Sequence, residues 1–213
     1  MKTRRYEAAV IGGSAGSMVV LQELLSFLPE NLSLAIIIVV HLHPSDDGEL
    51  VTLLNSTTSL KVKEAEDKEK IQPGLIYVCP PNYHLLVELD HTFSLSADPK
   101  VNYARPSIDV TLQSAAFAWG EEVIGIILTG ANLDGAAGMK DIAKYGGLTI
   151  AQDPSTAVYP AMPMGAVHSG VVEQILQVQD IGTFLRDTNR VNLDLQQHFQ
   201  ACQTSSTLNQ DEI

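Results

Sequence analysis

The sequence predicts an α/β fold: a doubly wound, mostly parallel sheet with helices on both faces (an α/β/α sandwich) and a short antiparallel ribbon. Two continuous apolar, β-branched runs, residues 32–40 and 123–128, are typical of strands covered on both faces in a parallel sheet. A third apolar strand, residues 8–11, leads through glycines into apolar residues at helical spacing. Strands and helices thus alternate, as they do in sheets built with right-handed crossovers.

The first half of the chain continues this alternation. Helical spacing follows the second strand as far as residue 54, with Asp46 or Asp47 as the cap. The stretch 61–71 is charged, and residues 63–70 in particular are predicted to be solvated surface. Beyond it we expect short strands, with residues 85–89 and 92–95 forming an antiparallel ribbon.

The second half repeats the pattern. Arg105-Pro106-Ser107-Ile108-Asp109 opens a helix, because proline is tolerated in a first turn. A Gly/Ala loop after the strand 123–128 becomes a helix that ends at Gly146. The remaining expected elements are a strand at 148–151, a short helix at 159–166, an edge strand at 171–176 and a weakly amphipathic helix over 181–199.

Length and composition bound the protein's organisation. A chain of 213 residues with 45% apolar residues can bury one large core, so we expect a single domain over residues 1–200. Residues 201–213 carry little apolar content and are expected to form a disordered tail.

Charge and cysteine content exclude several classes of function. The net charge of −12 does not favour binding to nucleic acid or to an anionic membrane surface. No apolar run approaches the roughly 20 residues that a membrane-spanning helix needs. Cys79 and Cys202 lack the spacing of a disulfide framework or a zinc site. We therefore expect a cytoplasmic protein without metal or cofactor.

Ser14 stands at the turn between the first strand and the first helix. Gly12 and Gly16 flank it with the spacing G-x-S-x-G, which lifts a serine hydroxyl above a sheet edge in a bend too tight for larger neighbours. A glycine-rich phosphate cradle and an ordinary strand-to-helix turn are the alternatives. The dinucleotide fingerprint is not met, because His41 stands where an acidic residue would close the second strand.

Three candidate residues follow strands that should end at one edge of the sheet, where sites in open α/β sheets lie. Ser14 follows the first strand, His41 the second, and Asp134 lies in the loop after residues 123–128. A serine nucleophile, a histidine base and an orienting carboxylate are what acyl transfer requires. His43 is the rival base, and Asp153 is the rival carboxylate.

Two other kinds of site compete less well. Cys79, followed by His84, is an alternative thiol nucleophile, but no helix N-terminus is expected beside it to lower the thiol pKa. Metal binding through His41 and His43 would need at least one more ligand.

Several motifs in this order resemble the catalytic domain of bacterial chemotaxis receptor-glutamate methylesterases of the CheB type, over roughly residues 6 to 185. They are VIGGSAG at 10–16, VHLHP at 40–44, KEAED at 63–67, PGLIYV at 73–78, RPSID at 105–109 and ILTGANLDGAAGM at 127–139. The resemblance implies a two-component signal-transduction enzyme with Ser14 as nucleophile, His41 as general base and Asp134 as third member. It also implies that the enzyme hydrolyses glutamyl methyl esters on methyl-accepting chemotaxis receptors, and it raises deamidation of receptor glutamines as a further activity.

The chain departs from the family pattern at three positions. Ala15 stands where the family has a threonine or similar polar residue, and Ala131 where it has methionine. The backbone N–H groups of Ala15 and Ala131 remain available for an oxyanion hole, since those donors need no side chain. His43 replaces the first proline of a pair and alters the expected substrate groove.

The usual N-terminal receiver domain has no counterpart before the first strand, so we expect either an uncovered enzyme or control by a separate receiver or signalling protein.

The leading hypothesis is a serine esterase that acts on the cytoplasmic domain of a chemotaxis receptor. Arg105 is the candidate for docking this acidic partner; pairing with a nearby carboxylate is the alternative. The other hypotheses are a catalytically diverted binding module in a signalling assembly and an esterase with a non-chemotaxis substrate.

Overall fold

The computed structural model describes residues 4–42 and 48–207, with side chains described as far as residue 193. The predicted cap residues Asp46 and Asp47, and residue His43, lie outside the described residues. No helix in the described ranges has the length and apolar character needed to cross a membrane.

The described chain contains nine strands and six α-helices, which alternate except where β3 to β6 follow one another. The strands are β1 (Ala8–Gly13), β2 (Ala35–Val40), β3 (Lys61–Glu64), β4 (Leu75–Val78), β5 (His84–Val87), β6 (Phe93–Ser96), β7 (Val123–Ile127), β8 (Leu148–Gln152) and β9 (Gln174–Leu176). The helices are α1 (Ser17–Leu25), α2 (Glu49–Asn55), α3 (Ile108–Trp119), α4 (Ala136–Lys144), α5 (Ala161–His168) and α6 (Val178–Thr207), with a short 3-10 helix at Gly120–Glu122.

Seven strands form one parallel sheet in the order β3-β4-β2-β1-β7-β8-β9. The chain builds outward from β1 through β2 and then returns to place β7 against the other side of β1. The point where the strand order reverses therefore lies between β1 and β7, and a crevice for a ligand opens beyond their carboxyl ends. β5 and β6 form the separate antiparallel ribbon, so the predicted fold class is confirmed.

Each face of the sheet has its own hydrophobic core. Apolar residues of α1, α2 and α6 cover one face, with Leu21, Leu54 and Ile181 fully or almost fully buried. α3, α4, α5 and the ribbon cover the other face, where Leu112 and Met139 have no exposed surface. Because both faces are covered, β1, β2, β7 and β8 are buried at every position.

The charged stretch 61–71 contains a strand that the sequence did not predict, although most of residues 63–70 are exposed or half-buried, as expected. Its first four residues form the edge strand β3, which pairs with β4 and alternates an exposed Lys61 with a buried Val62. An edge strand needs only one apolar face and can carry charged residues on the other. In sequence, β3 therefore resembles a charged surface loop. Lys63 of β3 forms ion pairs with Glu66 and Glu69 in the rest of the stretch.

The terminal helix is longer than expected. α6 extends to Thr207 and thus includes residues 201–207 of the expected disordered tail. Once a helix has nucleated, each added residue gains a backbone hydrogen bond, and apolar content is not needed for that step. Residues 208–213 lie outside the described residues.

Candidate active site

Ser14 lies directly after β1 in a turn that two glycines make possible. A Cβ at Gly12 would lie 2.4 Å from Cγ2 of Ile108, and Gly16 adopts a φ of +77° as the N-cap of α1. The Ser14 N–H donates to the carbonyl of Thr129 at 3.0 Å, which ties this turn to the loop after β7. The hydroxyl is thereby held above the point where the strand order reverses.

His41 follows β2 and joins Ser14 to Asp134. Its Nδ1 lies 3.2 Å from the Ser14 Oγ, and its Nε2 lies 2.9 Å from Oδ2 of Asp134. An ionised carboxylate only accepts hydrogen bonds, so Nε2 carries the proton and Nδ1 presents a lone pair to the serine hydroxyl. The structure therefore brings the three predicted residues into one hydrogen-bonded chain.

Asp134 is held by the start of α3. Its side chain has no exposed surface. Its donors besides His41 are the N–H groups of Ile108 at 2.7 Å, Asp109 at 3.2 Å and Gly135 at 3.1 Å, the Ser107 hydroxyl at 2.9 Å and the Asn102 amide at 3.4 Å. Backbone N–H groups at a helix N-terminus favour an anion, so this environment keeps the carboxylate charged.

The electrostatics of the two neighbouring carboxyls differ. Burial acts to raise the pKa of Asp134, but the hydrogen bonds from His41 and from the start of α3 outweigh it and lower that pKa from 3.8 to about 2. Burial and the negative charge of Asp134 raise the pKa of Asp109. Asp134 is therefore the carboxyl suited to stabilise a positively charged imidazole.

The rival residues with described side chains do not contact the Ser14–His41 pair. The Asp153 carboxylate accepts the N–H of Ser155 at 2.8 Å. Cys79 is fully buried, and burial raises the pKa of its thiol, so it is a poor nucleophile. His84 accepts the Ser107 N–H at 3.2 Å and so supports the residue whose hydroxyl contacts Asp134. His43 lies outside the described residues.

Ala15 follows Ser14 in its turn, and Ala131 lies in the loop after β7 that bonds to this turn through Thr129. Within the described part of the chain, neither backbone N–H donates to a protein acceptor, whereas the N–H of Gly130 is taken by the carbonyl of Tyr159 at 3.0 Å. The Thr129 hydroxyl donates to the carbonyl of Ala15 at 3.1 Å and holds the two loops together. Both alanine N–H groups thus have donor capacity to spare.

Arg105 pairs with no carboxylate among the residues whose side chains are described, so the alternative interpretation of this residue finds no support there. Its guanidinium donates to the carbonyls of Ala97 at 2.6 Å and Asp98 at 2.9 Å, and to Oδ1 of Asn82 at 3.4 Å. These bonds connect three loop segments and leave part of its donor capacity unused. Its proposed contact with a substrate remains a prediction.

Sequence reasoning missed two side chains at the site. The sequence places Ser107 at a helix start without indicating that its hydroxyl contacts Asp134. It places Asn132 in a loop without indicating that its Nδ2 lies 3.2 Å from Nδ1 of His41. The position of Ser107 directly before α3 was a usable signal, since serine favours helix N-caps. No sequence signal pointed to Asn132.

An open cavity of about 630 Å³ lies beside Asp134 and Asn132. Tyr103 and Leu133 line it and are largely exposed, and Lys140 supplies a positive charge. In the described ranges, no group of three or more His, Cys, Asp or Glu side chains is arranged to hold a metal ion. Ser14 and His41 are not among the residues that line it, so the cavity adjoins the Asp134 side of the site.

Comparison with known protein families gives one match over most of the chain. Residues 9–185 match the family described as CheB methylesterase. A putative protein-glutamate methylesterase/protein-glutamine glutaminase of Leptospira interrogans is 44% identical over 189 residues, covering 89% of this chain and 98% of that protein. A protein-glutamate methylesterase/protein-glutamine glutaminase of Symbiobacterium thermophilum is 36% identical over 172 residues. The match covers 81% of this chain but only 48% of the Symbiobacterium protein.

A solved structure shares the fold. The crystal structure of the Thermotoga maritima CheB methylesterase catalytic domain superposes with a TM-score of 0.83 at 34% sequence identity. The superposition covers 85% of this chain and 98% of that domain. The similarity therefore extends over most of this chain and nearly all of that domain.

Proposed function

We propose that this chain, which belongs to the CheB methylesterase family, is a protein-glutamate methylesterase that uses Ser14 as its nucleophile. The observation that carries the proposal is the position of His41, with Nδ1 at 3.2 Å from Ser14 and Nε2 at 2.9 Å from Asp134. A base in that position can take the hydroxyl proton while its opposite nitrogen stays bonded to a carboxylate.

In the first half of the reaction, Ser14 Oγ attacks the carbonyl carbon of the glutamyl methyl ester and its proton passes to Nδ1 of His41. The imidazole then carries a positive charge, which Asp134 stabilises without taking a proton, because its pKa is held near 2. The tetrahedral intermediate collapses as Nδ1 returns the proton to the methoxy oxygen. Methanol leaves, and the glutamyl group remains bound to Ser14 as an acyl-enzyme.

In the second half, water takes the place of methanol. His41 accepts a proton from the attacking water, and the new tetrahedral intermediate breaks its bond to Ser14 Oγ. Nδ1 delivers the proton back to Oγ, and a free glutamate side chain is released. The steps consume one water and yield one methanol for each ester.

The oxyanion of both tetrahedral intermediates needs donors that point away from His41. The N–H groups of Ala15 and Ala131 suit this role, because they flank the serine turn and have no protein acceptor in the described structure. Removing one donor of this kind typically costs about 10²- to 10³-fold in turnover. Backbone donors also explain how alanine can occupy both positions.

The proposed partner is the cytoplasmic domain of a methyl-accepting chemotaxis receptor. A glutaminyl amide on the same receptor would form the same acyl-enzyme with ammonia as the leaving group, and relatives carry the name protein-glutamine glutaminase as well. We therefore propose deamidation as a second activity of the same site.

A diverted binding module is the alternative function. It has no need of a serine, a histidine and a buried carboxylate kept within hydrogen-bonding distance of one another. That arrangement and the family membership both favour the enzyme.

The deciding experiment measures methanol release from methylated receptor by the full chain and by Ser14→Ala. We expect Ser14→Ala to lose several orders of magnitude in turnover, because the three residues act as a unit. Ser17→Ala is the matched control, since the Ser17 hydroxyl is bound to the Ser14 carbonyl at 2.6 Å and does not contact His41. Full activity in Ser14→Ala would end the proposal.

A further inference from the structure

Thr129 uses each of its polar groups to hold a neighbouring segment. The residue follows β7 and has no exposed surface. Its backbone N–H donates to Oε1 of Gln152 at 2.9 Å, and its carbonyl accepts the N–H of Ser14 at 3.0 Å. Its hydroxyl accepts the N–H of Tyr159 at 2.9 Å and donates to the carbonyl of Ala15 at 3.1 Å. Thr129 therefore joins the serine turn, the end of β8 and the loop before α5.

The single hydroxyl proton of Thr129 belongs to the bond with Ala15. Two carbonyls lie within reach of Oγ1, that of Ala15 at 3.1 Å and that of Tyr159 at 3.3 Å. The Tyr159 carbonyl is the more distant and already accepts the N–H of Gly130 at 3.0 Å. The Tyr159 N–H can only donate, so it occupies a lone pair of Oγ1 and leaves the proton for the Ala15 carbonyl.

The two bonds from Thr129 to the serine turn lie on either side of the Ser14–Ala15 peptide unit. The Ser14 N–H belongs to the unit before it, and the Ala15 carbonyl belongs to the unit after it. Each peptide unit is planar, so holding the units on both sides restricts rotation of the plane between them. That plane carries the N–H of Ala15, which is the first proposed oxyanion donor.

The second proposed donor lies two residues after Thr129 on the same loop. The N–H of Ala131 shares a peptide unit with the carbonyl of Gly130, and that carbonyl accepts the N–H of Met162 at 2.9 Å. In a trans peptide the N–H and the carbonyl point in opposite directions, so this bond directs the Ala131 N–H away from Met162. Thr129 thus attaches the loop that carries one donor to the turn that carries the other.

We propose that the Thr129 hydroxyl is a positioning group that sets the separation and relative orientation of the Ala15 and Ala131 N–H groups, and so shapes the oxyanion hole. The inference rests on the proposed function, in which these two N–H groups stabilise the tetrahedral intermediates. Thr129 is buried and acts through the two backbone donors. With the hydroxyl removed, the loop would keep its bond from the Ser14 N–H but lose the second point of attachment, and the turn could pivot about the first.

The position of the donors matters because they stabilise charge only where it develops. Such donors lie about 2.7–3.1 Å from the oxyanion, and one of them contributes about 10²- to 10³-fold to turnover. A donor that has shifted or rotated loses part of this contribution. We therefore expect removal of the Thr129 hydroxyl to slow the reaction at Ser14 by about 10- to 100-fold.

The test compares two reagents that label Ser14 in the full chain, a fluorophosphonate and the same compound with sulfur in place of the phosphoryl oxygen. In both reactions Ser14 Oγ bonds to phosphorus, its proton passes to Nδ1 of His41, and the phosphorus–fluorine bond breaks to release fluoride. Negative charge develops on the phosphoryl oxygen or on the sulfur, and sulfur is the weaker hydrogen-bond acceptor. The oxygen-to-sulfur ratio of labelling rates therefore reports on the oxyanion hole, whereas damage to Ser14 or His41 slows both reactions alike.

Three variants at Thr129 separate the hydroxyl from the rest of the side chain, with the labelled residue identified by mass spectrometry. Thr129→Val removes the hydroxyl and keeps the branched shape. We expect its labelling by the fluorophosphonate to slow about 10- to 100-fold and its oxygen-to-sulfur ratio to fall about threefold to tenfold. Thr129→Ser keeps the hydroxyl and should keep the wild-type ratio. Thr129→Cys supplies a weakly bonding thiol, should give an intermediate ratio, and carries the test if Thr129→Val does not fold.

Thr149→Val is the matched control. Thr149 is also fully buried, and its hydroxyl likewise accepts one backbone N–H, from Glu173 at 3.1 Å, and donates to one carbonyl, that of Val171 at 2.6 Å. These bonds join β8 to the segment before β9 and not to the serine turn. Thr149→Val should therefore lower the free energy of unfolding about as much as Thr129→Val but keep the wild-type labelling rates and ratio.

The outcomes distinguish failure of the inference from failure of the proposed function. If wild-type Ser14 is labelled but Thr129→Val keeps the wild-type ratio, or Thr129→Ser loses it equally, the hydroxyl does not shape the oxyanion hole and the proposed function stands. An equal fall of the ratio in Thr149→Val would assign the effect to general loss of stability and would also overturn the inference. If the fluorophosphonate does not label wild-type Ser14, the proposed function and the inference fall together.

Discussion

The Oδ2 atom of Asp134 accepts the backbone N–H of Ile108 at 2.7 Å, so the proposed third member of the site also caps α3. The Ser107 hydroxyl and the Asp109 N–H bond to the other oxygen of the same carboxylate. One side chain thus contributes both to the stability of the fold and to the position of His41. Changes at Asp134 should therefore affect stability and chemistry together, whereas changes at His41 should affect mainly chemistry.

Asp134→Asn should lower turnover by about 10³- to 10⁴-fold, because a neutral amide neither stabilises the imidazolium nor fixes the tautomer. It should also lower the free energy of unfolding by about 2–4 kcal/mol, since an amide NH₂ group must face N–H donors at the start of α3. Methanol release and denaturant unfolding measure the two effects. His41→Ala is the comparison, with a similar loss of turnover and a much smaller loss of stability. Equal destabilisation by both variants would show that Asp134 does not cap α3.

The stability of the protein should fall between about pH 4 and pH 2 through Asp134. Its pKa is about 2 in the folded protein and about 3.9 in an unfolded chain, so the folded state holds this carboxyl ionised more strongly. The corresponding stabilisation of about 2–3 kcal/mol is present above pH 4 and is lost as the pH falls towards 2. Asp109, whose pKa is raised, acts in the opposite direction.

Denaturant unfolding at pH 5, 4, 3 and 2 checks this dependence. The difference between wild type and Asp134→Asn removes the contributions of the carboxyls that do not interact with Asp134; the pKa of Asp109 also falls in the variant, because the charge of Asp134 no longer raises it. That difference should shrink by about 2–3 kcal/mol from pH 5 to pH 2. A difference that stays constant over this range would contradict the assignment of a low pKa to Asp134.

Gly12→Ala should destabilise the fold by about 1–3 kcal/mol, because the added Cβ would lie 2.4 Å from Cγ2 of Ile108. The backbone N–H of Ile108 donates to the Asp134 carboxylate, so displacing Ile108 should also disturb the active site. Turnover should therefore fall in the protein that remains folded. Thermal unfolding and methanol release at a temperature well below the transition measure the two effects. Gly170→Ala, where no atom lies within 4 Å of the added Cβ, should cost only the strain of its positive φ and should keep turnover.

Arg105→Glu should raise KM for methylated receptor by about threefold to tenfold, and more strongly at low salt, if Arg105 docks an acidic partner. Arg105→Lys keeps the positive charge but loses the planar guanidinium group that donates to the carbonyls of Ala97 and Asp98. We expect Arg105→Lys to retain most of the receptor affinity. If Arg105→Lys and Arg105→Glu are equally impaired, Arg105 only supports its own loops; if Arg105→Glu binds receptor normally, the docking role is excluded.

Most of the architecture was predictable because its signals are local. Long β-branched runs are compatible with strands buried on both faces, and residues that follow parallel strands share one edge of the sheet. The edge strand β3 escaped this reasoning, since a strand with a single buried face and many charges resembles a loop in sequence. The length of α6 was not predictable from the apolar pattern either, because helix propagation does not require such a pattern.

The sequence by itself determined the fold class, the family and the three residues that follow the carboxyl ends of strands, since these depend on hydrophobic pattern and chain order. Only the tertiary structure decided which nitrogen of His41 faces Ser14, that Asp134 caps α3 and that the amide of Asn132 reaches the imidazole. Hydrogen bonds between residues distant in the chain depend on atomic positions to within a few tenths of an ångström. Those positions follow from the packing of the loops beyond β1, β2 and β7, which no single stretch of sequence specifies.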